Sequence, residues 1–209
     1  MSHHIIWNGP ENADATLVLA HGAGAPMDSE FMNIIAEGLG QVGVRVARFE
    51  FPYMQKRRED GKSRPPDRGP KLEAHWHDVI SHLGDGCKLF IGGKSMGGRF
   101  ASMIADVAGV QGVICLGYPF HPPGKPEKLR TDHLKAIATK TLILQGERDT
   151  FGTQLEVPGY DLSDNIEICW LPDGDHSLKP RKKSGHTHEE NLAKTIAKIA
   201  EFIQANSKV

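Results

Sequence analysis

The run Gly92-Gly93-Lys94-Ser95-Met96-Gly97-Gly98-Arg99 follows an apolar stretch at residues 88–91 and leads into a segment of helical periodicity, residues 96–107. Within it, Gly93-Lys94-Ser95-Met96-Gly97 matches Gly-x-Ser-x-Gly in a strand–turn–helix setting. Such a turn lifts the serine hydroxyl above the edge of a sheet and holds its backbone in a strained conformation. Side chains two residues to either side would meet neighbouring backbone, so glycine is needed at both places. Gly93-Lys94-Ser95 is also the Gly-Lys-Ser of phosphate loops, but that pattern requires a glycine five residues before Gly93, where Lys88 stands.

Further apolar runs lie at residues 16–20, 44–51, 112–117, 141–144 and 166–171. They are nearly continuous in apolar character, which suits strands covered on both faces. Helical patterns separate them. Phe31, Ile34, Ile35 and Leu39 share a face behind a cap at Asp28 or Ser29; residues 72–83 form a second helix. Leu192, Ile196, Ile199 and Ile203 define the last, behind a capping box of Thr187 and Glu190. Residues 56–71, rich in Pro, Arg and Asp, read as irregular loop. The alternation predicts an α/β fold: one domain over residues 1–209, with a mostly parallel sheet of six to seven strands and helices on both faces. Right-handed crossovers then gather every strand-to-helix loop at one carboxyl edge, where ligands bind in open α/β sheets.

An activated serine needs a general base, and the base needs an orienting acid. Asp149 follows the strand at residues 141–144, and His176 follows the strand at 166–171. Each alone reads equally well as a turn residue or a surface histidine. Together they give Ser, Asp and His in chain order, each just past a separate strand. Glu147 is the backup acid, less favoured because it sits closer to its strand, and Asp175 would need its loop to fold back. Acyl transfer also needs donors for an oxyanion. The expected pair is the backbone N–H of Met96 and, from the small-residue turn His21-Gly22-Ala23-Gly24-Ala25-Pro26, that of Ala23.

These residues together resemble the α/β-hydrolase superfamily over nearly the whole chain, and most of all its small lidless branch related to dienelactone hydrolases. Residues 92–99, 116–126 and 174–183 are similar to a group of α/β-family hydrolases that itself resembles testis-expressed hydrolase-like proteins and a scaffold subunit of a histone-acetyltransferase complex. The resemblance implies serine hydrolase chemistry without a cofactor. It also implies two departures. At most one strand, at residues 4–7, precedes the histidine–glycine loop, so the sheet is trimmed at its start. Only 23 residues separate Gly117 from Thr141, too few for a large lid.

The expected function is cleavage of a small carboxylic ester or thioester by Ser95, His176 and Asp149. A non-catalytic binding or scaffold protein is the alternative, and an acyltransferase would use the same residues. A net charge of −1 argues against a nucleic-acid partner, and no run of apolar residues is long enough for a membrane span. Cys87, Cys115 and Cys169 are odd in number and lack metal spacing. They read as reduced thiols, and with no secretory signal in view they point to the cytoplasm. His75 and His77 fall on different faces of a helix, so no metal site is expected. The three long loops at residues 52–70, 119–130 and 172–187 carry thirteen Lys and Arg against six Asp and Glu. A basic mouth attracting an anionic substrate and a plain solvated loop face are equal readings of that excess. Oligomeric state is left open.

Overall fold

The computed structural model describes residues 4–84 and 88–207, which leaves Cys87 outside the described residues. Seven strands form one sheet: β1 (Ile6–Asn8), β2 (Ala15–Ala20), β3 (Arg45–Phe49), β4 (Lys88–Lys94), β5 (Gly112–Leu116), β6 (Thr141–Gly146) and β7 (Ile166–Leu171). Their order across the sheet is β1-β3-β2-β4-β5-β6-β7. Only β1 runs antiparallel, against β3. The other strands pair in parallel, as continuous apolar runs demand, and every residue of β2, β5 and β6 is buried.

Side chains alternate between the faces with the period of two that a strand imposes. Val18, Ala20, Ile91, Val113, Cys115 and Ile143 face a core shared with α3 (Gly69–Leu83) and α4 (Met96–Ala108). Leu17, Leu19, Phe90, Ile114, Leu142 and Leu144 face the core shared with α1 (Glu30–Gln41) and α5 (His188–Asn206). The capping box of α5 forms as expected: Thr187 Oγ1 accepts from Glu190 N at 3.1 Å, and Glu190 Oε2 accepts from Thr187 N at 2.8 Å. Ser29 stands before α1, though its side chain makes no capping hydrogen bond.

Two local expectations change. Residues 56–71 are not all irregular loop. Helix α2 (Pro52–Asp60) takes the first of them, with Pro52 in its opening turn and Gly61 closing it in the left-handed region, and α3 begins at Gly69. The apolar run at residues 44–51 yields a shorter strand, since Pro52 starts the helix and Phe51 serves as its N-cap. Helix α2 has almost no apolar face beyond Tyr53 and Met54, so periodicity could not reveal it.

Chain connections reverse direction across the sheet between β2 and β4. From β2 the chain moves out to β3, then returns past β2 to β4 and continues to β7. A crevice opens at such a switch point, outside the carboxyl ends of the two strands. The turns at residues 21–25 and 94–96 leave the sheet there.

Candidate active site

Ser95 sits at φ 51° and ψ −112°, a left-handed conformation rare for a residue with a side chain. Its neighbours explain how the strain is held. A Cβ on Gly93 would lie 2.2 Å from the Ala20 carbonyl oxygen, and one on Gly97 would lie 2.6 Å from the same atom. The turn is pressed directly onto the end of β2. Ser95 N also donates to Leu116 O on β5 at 3.0 Å.

His176 reaches this serine from the loop after β7. Its Nε2 lies 2.9 Å from Ser95 Oγ, and its Nδ1 lies 2.8 Å from Asp149 Oδ2. A carboxylate only accepts, so Nδ1 carries the proton and Nε2 offers its lone pair to the serine hydroxyl. Asp149 is fully buried, and each of its oxygens is held: Oδ1 accepts from Phe151 N at 2.9 Å and Oδ2 accepts from Gln145 Nε2 at 2.9 Å. Gln145 is itself locked, because its Oε1 accepts from Tyr118 N at 2.7 Å while its Nε2 also donates to the carbonyls of Tyr118 and Gly152. The Phe151 ring packs on the imidazole with centroids 4.2 Å apart.

The two other acids near the site have separate duties. Glu147 Oε2 accepts from Asp173 N at 2.8 Å, and Asp175 Oδ1 accepts from Ser177 N and Lys179 N. His75 Nε2 bonds the Glu50 carbonyl at 3.0 Å.

The turn after β2 lies against the turn that holds Ser95; a Cβ on Gly22 would come 3.8 Å from Ser95 Cβ. Ala23 N has no backbone or side-chain acceptor among the described residues. Met96 N opens α4, where the first amides have no partner within the helix. His21, which the sequence reading used only as part of this turn, and Tyr53, which it did not use, hold the carbonyls of Gly22 and Ala23. Buried His21 accepts from Phe51 N at its Nε2, 3.1 Å away, which places the ring proton on Nδ1. That Nδ1 donates to Gly22 O at 2.7 Å. Burial lowers the pKa of His21, in keeping with a neutral ring in these roles. Tyr53 Oη donates to Ala23 O at 3.0 Å and lies 3.4 Å from Gly22 O. A trans peptide points its C=O and N–H in opposite directions. Holding Gly22 O on the His21–Tyr53 side therefore turns the Ala23 N–H away from them. Tyr53→Phe is expected to lower kcat about tenfold to a hundredfold with KM little changed, read from steady-state kinetics.

Ser95, His176 and Ala23 line a cavity of about 460 Å³ whose walls include Phe31, Met32, Phe151 and Lys94. Between β5 and β6, residues 117–140 form loop and one 3₁₀ turn (Asp132–Lys135), and no inserted domain covers the site. Among the described residues, no group of three or more His, Cys, Asp or Glu side chains has the arrangement to hold a metal ion. No helix of the described residues is long and apolar enough to cross a membrane.

Solved structures of the same fold cover almost the full chain. A lidless α/β serine hydrolase from Xanthomonas campestris matches at a TM-score of 0.70 and 17% identity, over 96% of this chain and 88% of its own. A dienelactone hydrolase from Anabaena variabilis matches at 0.71 and 18% identity, over 97% and 91%. An esterase from Pyrococcus furiosus matches at 0.72 and 15% identity, over 99% and 92%. Identities this low speak for the fold alone. The family model for the alpha/beta hydrolase domain matches residues 13–204. With that match over nearly its whole length, the chain belongs to the alpha/beta hydrolase family.

Proposed function

We propose that this protein is a serine hydrolase cleaving a small carboxylic ester or thioester through an acyl-enzyme. The observation that carries the reading is the unbroken line from Ser95 Oγ through the His176 ring to Asp149, with hydrogen bonds of 2.9 and 2.8 Å. Ser95 Oγ attacks the acyl carbonyl as His176 Nε2 takes its proton. The oxyanion of the tetrahedral intermediate is held by the N–H groups of Met96 and Ala23. His176 then returns the proton to the leaving alcohol or thiol, and the acyl group stays on Ser95. A water, deprotonated by the same Nε2, attacks the acyl carbon and releases the acid. No step needs a metal or an organic cofactor.

A cavity of about 460 Å³ with Phe31, Met32 and Phe151 in its walls suits a short or aromatic acyl group. The basic excess of the rim is partly spent within the molecule: Arg58 is paired with Glu50 and Asp28, both outside the three loops, whereas the Arg64–Asp60 and Arg181–Asp173 pairs lie within the loops and are already counted. Steering of anionic substrates is therefore modest. The test is a panel of esters and thioesters in matched neutral and anionic versions, assayed with wild type and Ser95→Ala. Hydrolysis by wild type alone is expected. Turnover that survives in folded Ser95→Ala would remove the proposal. Raising salt should lower kcat/KM a few-fold for the anionic members only. Equal salt dependence for both sets would leave the rim no role in substrate choice.

A further inference from the structure

Lys94 fills the position before the nucleophile, and its side chain does not run out to solvent as a lysine on a loop ordinarily would. It is partly buried and lines the same cavity as Ser95 and His176. Its Nζ donates to the carbonyl oxygen of His176 at 2.5 Å and sits 5.7 Å from the centre of the Phe31 ring. No carboxylate lies within ion-pair distance among the described residues. The charged and titratable groups facing it are Asp149 from the loop after β6, Asp175 and His176 from the loop after β7, and Glu30, which lines the cavity from the start of α1. Gly117 is part of the same arrangement, because a Cβ there would come 2.9 Å from Nζ and 2.8 Å from the His176 carbonyl oxygen.

This costs the fold something. Burial pulls the Lys94 ammonium down from its ordinary value to about 8, against the opposing pull of Asp149 and Asp175. A lysine whose folded pKa is depressed weakens the fold wherever it is protonated in both states. Below about pH 8 the penalty is fully present, and it is relieved as pH rises toward the unfolded value. A leucine or methionine would pack against Phe31 without that penalty.

We propose that Lys94 is a positioning residue: its ammonium ties the nucleophile turn to the peptide of His176 and so fixes where the imidazole stands relative to Ser95. The bond joins residues 82 apart in sequence and spans the loops after β4 and β7. A hydrogen bond from a charged donor to a carbonyl is about twice as strong as a neutral one. The tie therefore weakens when Lys94 loses its proton, and the reactivity of the site falls on the alkaline side. The role rests on the hydrolase reading of Ser95, and the test separates the two.

The reaction rate with a fluorophosphonate probe is measured from pH 6 to 10 for wild type, Lys94→Met and Lys94→Arg. Thermal unfolding and the imidazole 15N resonances of His176, identified by their loss in His176→Gln, are followed in parallel. At pH 7 Lys94→Met should react about tenfold more slowly while melting no lower than wild type. Lys94→Arg should react at near the wild-type rate and hold that rate through pH 10, because guanidinium does not titrate there. The His176 resonances of wild type should step near pH 8, and the step should vanish in both variants. A Lys94→Met protein that matches wild type at every pH overturns the role of Lys94. So does a His176 step that persists in Lys94→Arg. If wild type ignores the probe but keeps a Lys94-dependent step, the tie stands and the hydrolase reading falls.

Discussion

Asp149→Asn is expected to cut turnover on the order of 10⁴-fold while the protein stays folded. The reason lies in which atoms donate. Asp149 Oδ2 now accepts from both His176 Nδ1 and Gln145 Nε2. An asparagine that keeps its oxygen on Phe151 N, in the place of Asp149 Oδ1, turns its NH₂ toward two donors. Gln145 cannot turn over to help, since its Oε1 is taken by Tyr118 N and its Nε2 by the Tyr118 and Gly152 carbonyls. His176 must therefore yield, moving its proton to Nε2 and accepting from the new amide at Nδ1. Its Nε2 then presents a proton to Ser95 where a lone pair is needed. The clash with Gln145 also costs about 1–3 kcal/mol of stability. The variant should melt a few degrees lower and lose nearly all ester hydrolysis. Retained activity would mean that Asp149 does not set the state of His176.

Gly93→Ala should damage the fold itself. The added Cβ would meet Ala20 O at 2.2 Å and Ala20 C at 3.0 Å, all of it backbone of the neighbouring strand. Neither β2 nor β4 can move freely, because β2 is central and buried along its whole length. Relief requires parting the two strands at the place where the crevice opens. A loss of about 3 kcal/mol or more is expected, equal to a melting point lower by about 6–12 °C. Gly159→Ala serves as the contrast. Its Cβ would meet nothing within 4 Å and its φ is not left-handed, so it should change stability by less than about 1 kcal/mol. Calorimetry on the pair checks both values.

The sheet was legible because parallel strands covered on both faces leave long apolar runs that little else produces. The order Ser95, Asp149, His176 then needed only the rule that strand-to-helix loops share one edge. The same route pointed to Met96 and to the turn holding Ala23 as the donors proposed for the oxyanion. Other features depend on packing rather than on pattern. Phe51 N sets the His21 ring and Tyr53 reaches the Gly22 and Ala23 carbonyls from 31 and 30 residues away, through contacts that exist only after β3 and α2 have docked. Helix α2 itself, Pro52–Asp60, hides among charged residues because it buries only Tyr53 and Met54. Lys94 stood in view inside the motif, yet nothing in the order of residues reveals that its amine turns back to the His176 carbonyl. The charge count of the three loops was correct as a count, but it could not foresee that Arg58 would be drawn onto Glu50, outside those loops, on the strand side of α2.

Intact-protein mass spectrometry after exposure to a fluorophosphonate probe tests the central claim most directly. The account predicts one adduct per chain, mapped by digestion to Ser95, absent in Ser95→Ala and formed orders of magnitude more slowly in His176→Ala. A folded wild-type protein that takes up no adduct, or one that is modified equally well without the Ser95 hydroxyl, would contradict it.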